Sequence, residues 1–150
     1  MKSNVKQGGL NMTELAVVIA ILGFLAAFAV PRFASLEGET RRAATQSIAG
    51  GVRSGAAFAH TLWLAEGDPS ATTVTVEGTA ITMSNGCPDA ATIASTLSGK
   101  PPAGFTVTVG ATTTFAKANS AGVAIANCHV VYTPAAANGA PTVVATTSGC

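Results

Sequence analysis

Seventeen consecutive residues, Leu15 to Pro31 (LAVVIAILGFLAAFAVP), carry no charged or strongly polar side chain. As a helix they extend roughly 25 Å at about 1.5 Å per residue, the short end of what spans a bilayer. Residues 1–9 (MKSNVKQGG) are polar, carry Lys2 and Lys6, and end in two glycines. A basic leader of this kind keeps the N-terminus on the cytoplasmic side. A cleaved secretory signal would place a small-x-small site directly after the apolar run. Here Pro31, Arg32 and Phe33 follow, and the Gly-Gly pair precedes the run. Glu14 stands at the start of that run, where a carboxylate is costly unless it finds a partner. If the chain is cut after Gly9, the new amine of Leu10 is such a partner, within the same chain or on a neighbour. A helix-dipole role for Glu14 is the simpler alternative.

The remaining composition narrows the function. Charged residues are 10% of the chain and the net charge is +1, too little for a phosphate-binding track. Past Arg53 the only cations are Lys100 and Lys117. Serines lack a nucleophile-elbow context. Glu37/Glu39 and Glu66/Asp68 read as solvated charges rather than an acid–base pair. Gly50-Gly51 lacks the Lys-Ser/Thr of a phosphate loop and, with Gly55, reads as a site of close helix packing. His60 and His129 are far apart, and there is no Asp or Glu after Asp89. The expectation is no catalytic site, no metal and no cofactor.

Past Pro31 the apolar residues recur at three or four: Phe33, Leu36, Thr40, Ala44, Ile48, Val52, Ala56, Ala59 and Trp63. Gly67 and Pro69 end the pattern. One helix is expected from about Met12 to Glu66. It has a kink at Pro31, where an internal hydrogen bond is lost, and a weak segment from Gly23 to Pro31. Segments rich in Val, Thr and Ile follow at 72–77, 79–83, 105–109, 112–115, 123–128, 130–133 and 142–147. They are short and separated by Gly, Asn and Pro, which reads as antiparallel strands. A short helix or turn is expected at 88–97. The fold class is α+β, a long N-terminal helix packed on an antiparallel sheet.

The stretch GGLNMTELAVVIAILGFLAAFAVPRF resembles the type IV pilin family, in its leader ending at Gly9, its Thr13-Glu14 pair, its apolar run and its Pro31. The run onward from Pro31-Arg32-Phe33 to Ala65, and residues 85–90, look similar to the mannose-sensitive haemagglutinin type. The chain departs from the commonest pattern by beginning Leu10-Asn11-Met12 after the cut. The resemblance implies cleavage after Gly9 by a prepilin peptidase, N-methylation of Leu10, and pairing of Glu14 with an adjacent subunit's N-terminus. It also implies loss of helicity between Gly23 and Pro31 in the filament. The divisions are then a leader at 1–9, a membrane and filament-core helix at 10–33, and a head at 34–150. The implied partners are identical subunits, the peptidase, the pilus assembly machinery and, before assembly, the inner membrane. The implied destination is a surface pilus used in adhesion or motility. No nucleic-acid partner is indicated.

Three cysteines leave at least one unpaired within the chain. A Cys128–Cys150 bridge would staple a C-terminal loop, and the resemblance points to the same pairing. Cys87 is then a buried thiol, an intersubunit cross-link or an alternative partner for Cys128. Two rival functions stand beside the major pilin. One is a type II secretion pseudopilin, whose calcium site would need carboxylates absent here after Asp89. The other is a low-abundance minor pilin.

Overall fold

A computed structural model describes residues 11–98 and 102–150, and the side chains of all of these except 30–35. Gly9 and Leu10 lie outside the described residues. Contacts divide the chain into two compact units, Met1–Glu37 and Gly38–Cys150. Helix α1 (Met12–Glu66) is assigned without a break over 55 residues. Its first hydrogen bond runs from Leu15 N–H to Asn11 O at 3.0 Å. The carboxylate of Glu14 accepts from the backbone N–H of Asn11 at 3.2 Å, one half of a capping box. Pro31 falls within α1, among residues 30–35 whose side chains are not described. The helix ends at Gly67, which takes φ +69 and donates to Leu64 O, the left-handed residue that commonly stops helices.

In the second unit, seven strands follow among the described residues: β1 (Thr73–Val76), β2 (Thr79–Ser84), β3 (Cys87–Pro88), β4 (Phe105–Val109), β5 (Thr113–Ala118), β6 (Ala124–Thr133) and β7 (Thr142–Thr146). A 3₁₀ turn, Ile93–Thr96, precedes β4. All pairings are antiparallel between sequence neighbours. The strands form two sheets, β1-β2-β3 and β4-β5-β6-β7. The long helix followed by antiparallel strands is the α+β arrangement read from the sequence. Residues 123–128 and 130–133 differ from that reading, because they form one ten-residue strand. Cys128, Val130 and Tyr132 alternate inward along it. His129, where the two segments were expected to part, pairs with Ala116 and Thr146 and continues the strand.

The buried face of α1 is Thr45, Ala49, Val52, Ala56 and Ala59. Val52, Ala56 and Ala59 lie on the expected stripe, whereas before them the buried positions are Thr45 and Ala49, one residue on from Ala44 and Ile48. Ala44, Ile48 and Trp63 lie half-buried on its flank, while Leu36 and Thr40 are exposed. Small residues occupy the centre because neighbouring backbone comes close there. A methyl group added at Gly55 would collide with the Thr96 side chain, and one at Gly51 would lie 3.2 Å from Leu97. Gly50 is different: nothing lies within 4 Å of a methyl there, so it plays no part in close packing. Ala49, Val52 and Ala56 pack with Ile93, Leu97, Phe105, Phe115, Val130 and Tyr132. One turn onward, Ala59 packs with Val74, Val76, Ile81 and Met83.

Two hydroxyls join the large sheet to the segment leading out of the small one. Thr113 and Tyr132 are cross-strand partners on β5 and β6. Thr113 Oγ1 donates to Ala90 O, and Tyr132 OH donates to Pro88 O at 2.6 Å. Burial first, then the negative charges of Cys87 and Asp89, push the Tyr132 phenol well above its ordinary value near 10.0. A raised phenol pKa contributes stability below pH ~10 that drains away as pH rises further. Tyr132→Phe leaves the Pro88 carbonyl buried without its donor, for an expected loss of about 1–3 kcal/mol at neutral pH. Denaturant titrations at pH 7 and pH 11 check this: the loss should be present at pH 7 and shrink at pH 11.

Candidate functional site

The described part of the first unit is an apolar helix with no cover. Met12–Ala29 has a mean hydropathy of 2.3, with none of it buried. This stretch is long and apolar enough to cross a membrane. Leu15, Ile19, Leu22, Phe24, Leu25 and Phe28 are each at least half exposed. Phe24 and Phe28 meet edge to face at 5.1 Å. Gly23 has open space where a side chain would sit. An apolar surface this continuous needs lipid or protein to cover it. Glu14 marks its polar end, and its described partner is the Asn11 amide. That partner belongs to the helix start itself, as in the simpler role considered for a carboxylate there.

The cysteines of the second unit differ in environment. A disulfide joins Cys128 and Cys150, with Cα atoms 4.9 Å apart and a sequence separation of 22. Closing a loop of this size stabilises by roughly 3 kcal/mol in the chain-entropy picture. Thr45 lies beneath it on α1, with Oγ1 3.4 Å from Cys128 Sγ and 3.6 Å from Cys150 Sγ. The same hydroxyl donates to Arg41 O. Gly149 donates to Asn127 O at 2.9 Å, and a methyl at Gly149 would strike the Ala126 carbonyl. The tail and β6 are therefore in close contact.

Cys87 is free and buried. Its thiol lies 3.9 Å from His60 Nδ1, a pairing that sequence spacing does not reveal. The geometry does not activate the thiol. His60 Nδ1 sits 2.6 Å from Gly86 O, so that nitrogen carries the proton and donates to the carbonyl. It has no lone pair for the thiol, and burial pushes the Cys87 pKa up. His60 also stacks on Trp63 at 5.9 Å, and Trp63 Nε1 donates to Ala71 O. His60, Trp63 and the Asn85-Gly86 turn thus form one supporting cluster. Among the described residues no group of three or more His, Cys, Asp or Glu could hold a metal ion. His129 lies half-buried on β6. A thiol in this setting should react slowly: alkylation of the folded protein at pH 8 is expected to run at least about tenfold slower than after denaturation. Mass spectrometry of timed iodoacetamide reactions reads this directly.

Compared with known proteins, the chain is 45% identical over 51 residues to the type IV narrow pilus major component PilA5 of Thermus thermophilus. That stretch covers 34% of this chain and 44% of the relative, so the chain spans less than half the length of the curated relative it matches. No family model matches the chain, and no solved structure matches it significantly. The likeness to PilA5, together with a long apolar helix that precedes a sheet-bearing unit, supports a type IV pilin.

Proposed function

We propose that this chain is the major structural subunit of a type IV pilus of the mannose-sensitive haemagglutinin type, made as an inner-membrane precursor and assembled into a surface filament for adhesion or motility. The observation that carries the reading is the uncovered apolar stretch Met12–Ala29 with Glu14 at its polar end. The similarity to a pilus major component supports it. Cleavage after Gly9 by a prepilin peptidase, and methylation of Leu10, would leave an amine close to that carboxylate.

The function is assembly, and the chemistry is burial. In the membrane, lipid covers the apolar face. In the filament, the same faces of neighbouring subunits cover one another. A carboxylate carried into that apolar interior without a cation costs several kcal/mol. A neighbour's Leu10 amine removes the cost in one register only, so Glu14 selects the register. Gly23 and Pro31 are the positions where the helix gives way as subunits pack. The second unit, stapled by its disulfide, faces outward.

Filaments sheared from cells and weighed intact test the reading. The expected mass is Leu10–Cys150 with one methyl group and one disulfide. Protein that stays in the membrane fraction and never enters sheared material would overturn it. Gly9→Ala is expected to block cleavage and leave the precursor mass. Glu14→Ala is expected to be cut normally yet give few or no filaments, and abundant normal pili in that variant would refute the register argument.

A further inference from the structure

Resting on the pilus-subunit reading, we infer that the Glu77 hairpin tip of one copy docks into a cavity beside Arg53 on the next copy. The cavity lies within the second unit and has a volume of about 340 Å³. Arg53, Ala56, His60, Asn85, Cys87 and Val143 line it, and no acidic residue does. Arg53 Nη2 donates to Val143 O at 3.0 Å, which holds the guanidinium at the cavity wall with its other donors unused among the described residues. A cation beside a mostly apolar hollow calls for a carboxylate carried on a short aliphatic stem.

The complementary element is on the same chain. Val76 and Thr79 close the β1–β2 hairpin, and its two turn residues, Glu77 and Gly78, take φ +47 and +76. Two-residue turns of this hand favour Asn or Asp before Gly; the β2–β3 turn follows that preference with Asn85-Gly86. The β1–β2 tip instead presents a longer acidic side chain, exposed and without a partner among the described residues. Other carboxylates are already engaged: Glu39 with Arg42, Asp68 with Ser70, Asp89 with Thr92. Glu66 is the last residue of α1 rather than a protruding tip.

Glu77 cannot fill the cavity of its own chain. The whole of β2, Thr79–Ser84, separates the tip from Asn85 at the cavity, roughly 20 Å at about 3.3 Å per residue. The contact must join two copies through two different patches. A contact between unlike patches propagates as an open helical array when it does not close into a ring, which suits a filament.

Charge exchange tests the docking in cells expressing the full chain, with sheared filaments quantified by immunoblot. Arg53→Glu and Glu77→Arg alone are each expected to lower filament yield about tenfold or more, as for a charge pair desolvated on assembly. The double variant should recover most of the yield. Arg53→Gln keeps a donor for Val143 O but removes the charge, and it should also assemble poorly while melting like wild type. Single variants that assemble normally would overturn the docking, as would a double variant that folds but does not recover. Loss with Arg53→Glu but not Glu77→Arg would also overturn it, because another carboxylate would then fill the cavity. These outcomes leave the pilus reading standing if wild type forms filaments and Glu14→Ala does not. A wild type absent from sheared material overturns both.

Discussion

Close approach to one helix face governs the unit Gly38–Cys150. Thr45, Ala49, Val52, Ala56 and Ala59 are small or β-branched, and both hydrophobic clusters rest on the same stripe. Large side chains there would hold the 3₁₀ turn away, as the contacts around Gly51 and Gly55 show. With the helix as a common floor, two separate sheets share one support. The Thr113 and Tyr132 hydroxyls then fasten the segment between the sheets from the other side. Neither hydroxyl would be stable in the core without its carbonyl, so the polar bonds and the apolar packing depend on each other.

The two halves of α1 follow opposite rules. In Gly38–Cys150 one face of the helix, Ala49, Val52, Ala56 and Ala59, is covered by the chain's own strands and 3₁₀ turn, whereas none of Met12–Ala29 is buried. One helix thus contains a segment satisfied within the chain and a segment that needs an outside partner. Glu14 sits at the polar end of the second, and Cys128–Cys150 holds the tail to the strand that packs on the first. The thiol of Cys87 belongs to the satisfied half, shielded beside His60 rather than activated by it.

Much of the fold was readable from local pattern. Short segments rich in Val, Thr and Ile, bounded by Gly, Asn and Pro, marked six of the seven described strands, because such residues suit a half-buried pleated surface. Three-and-four spacing marked α1, since its inward face is continuous for several turns. The errors are equally physical. Helical periodicity determines a face only to within about one residue, so Thr45 and Ala49 proved central where Ala44 and Ile48 had seemed so. His129 read as a break because it is a polar residue between two apolar runs, although pairing with Ala116 on β5 and Thr146 on β7 holds it inside β6.

The sequence by itself determined an apolar stretch too long for this chain to cover, a lone carboxylate at its edge, and the succession of one helix and several strands. Each is a property of neighbouring residues, settled by hydropathy, charge and period. Tertiary structure alone decided the division into two sheets, the burial of Cys87 and the gathering of Arg53, Asn85 and Val143 around one cavity. These depend on contacts between distant parts of the chain, such as Arg53 with Val143 across 90 residues and His60 with Gly86 across 26. No local periodicity encodes such contacts, because their energy exists only once the separate elements have packed.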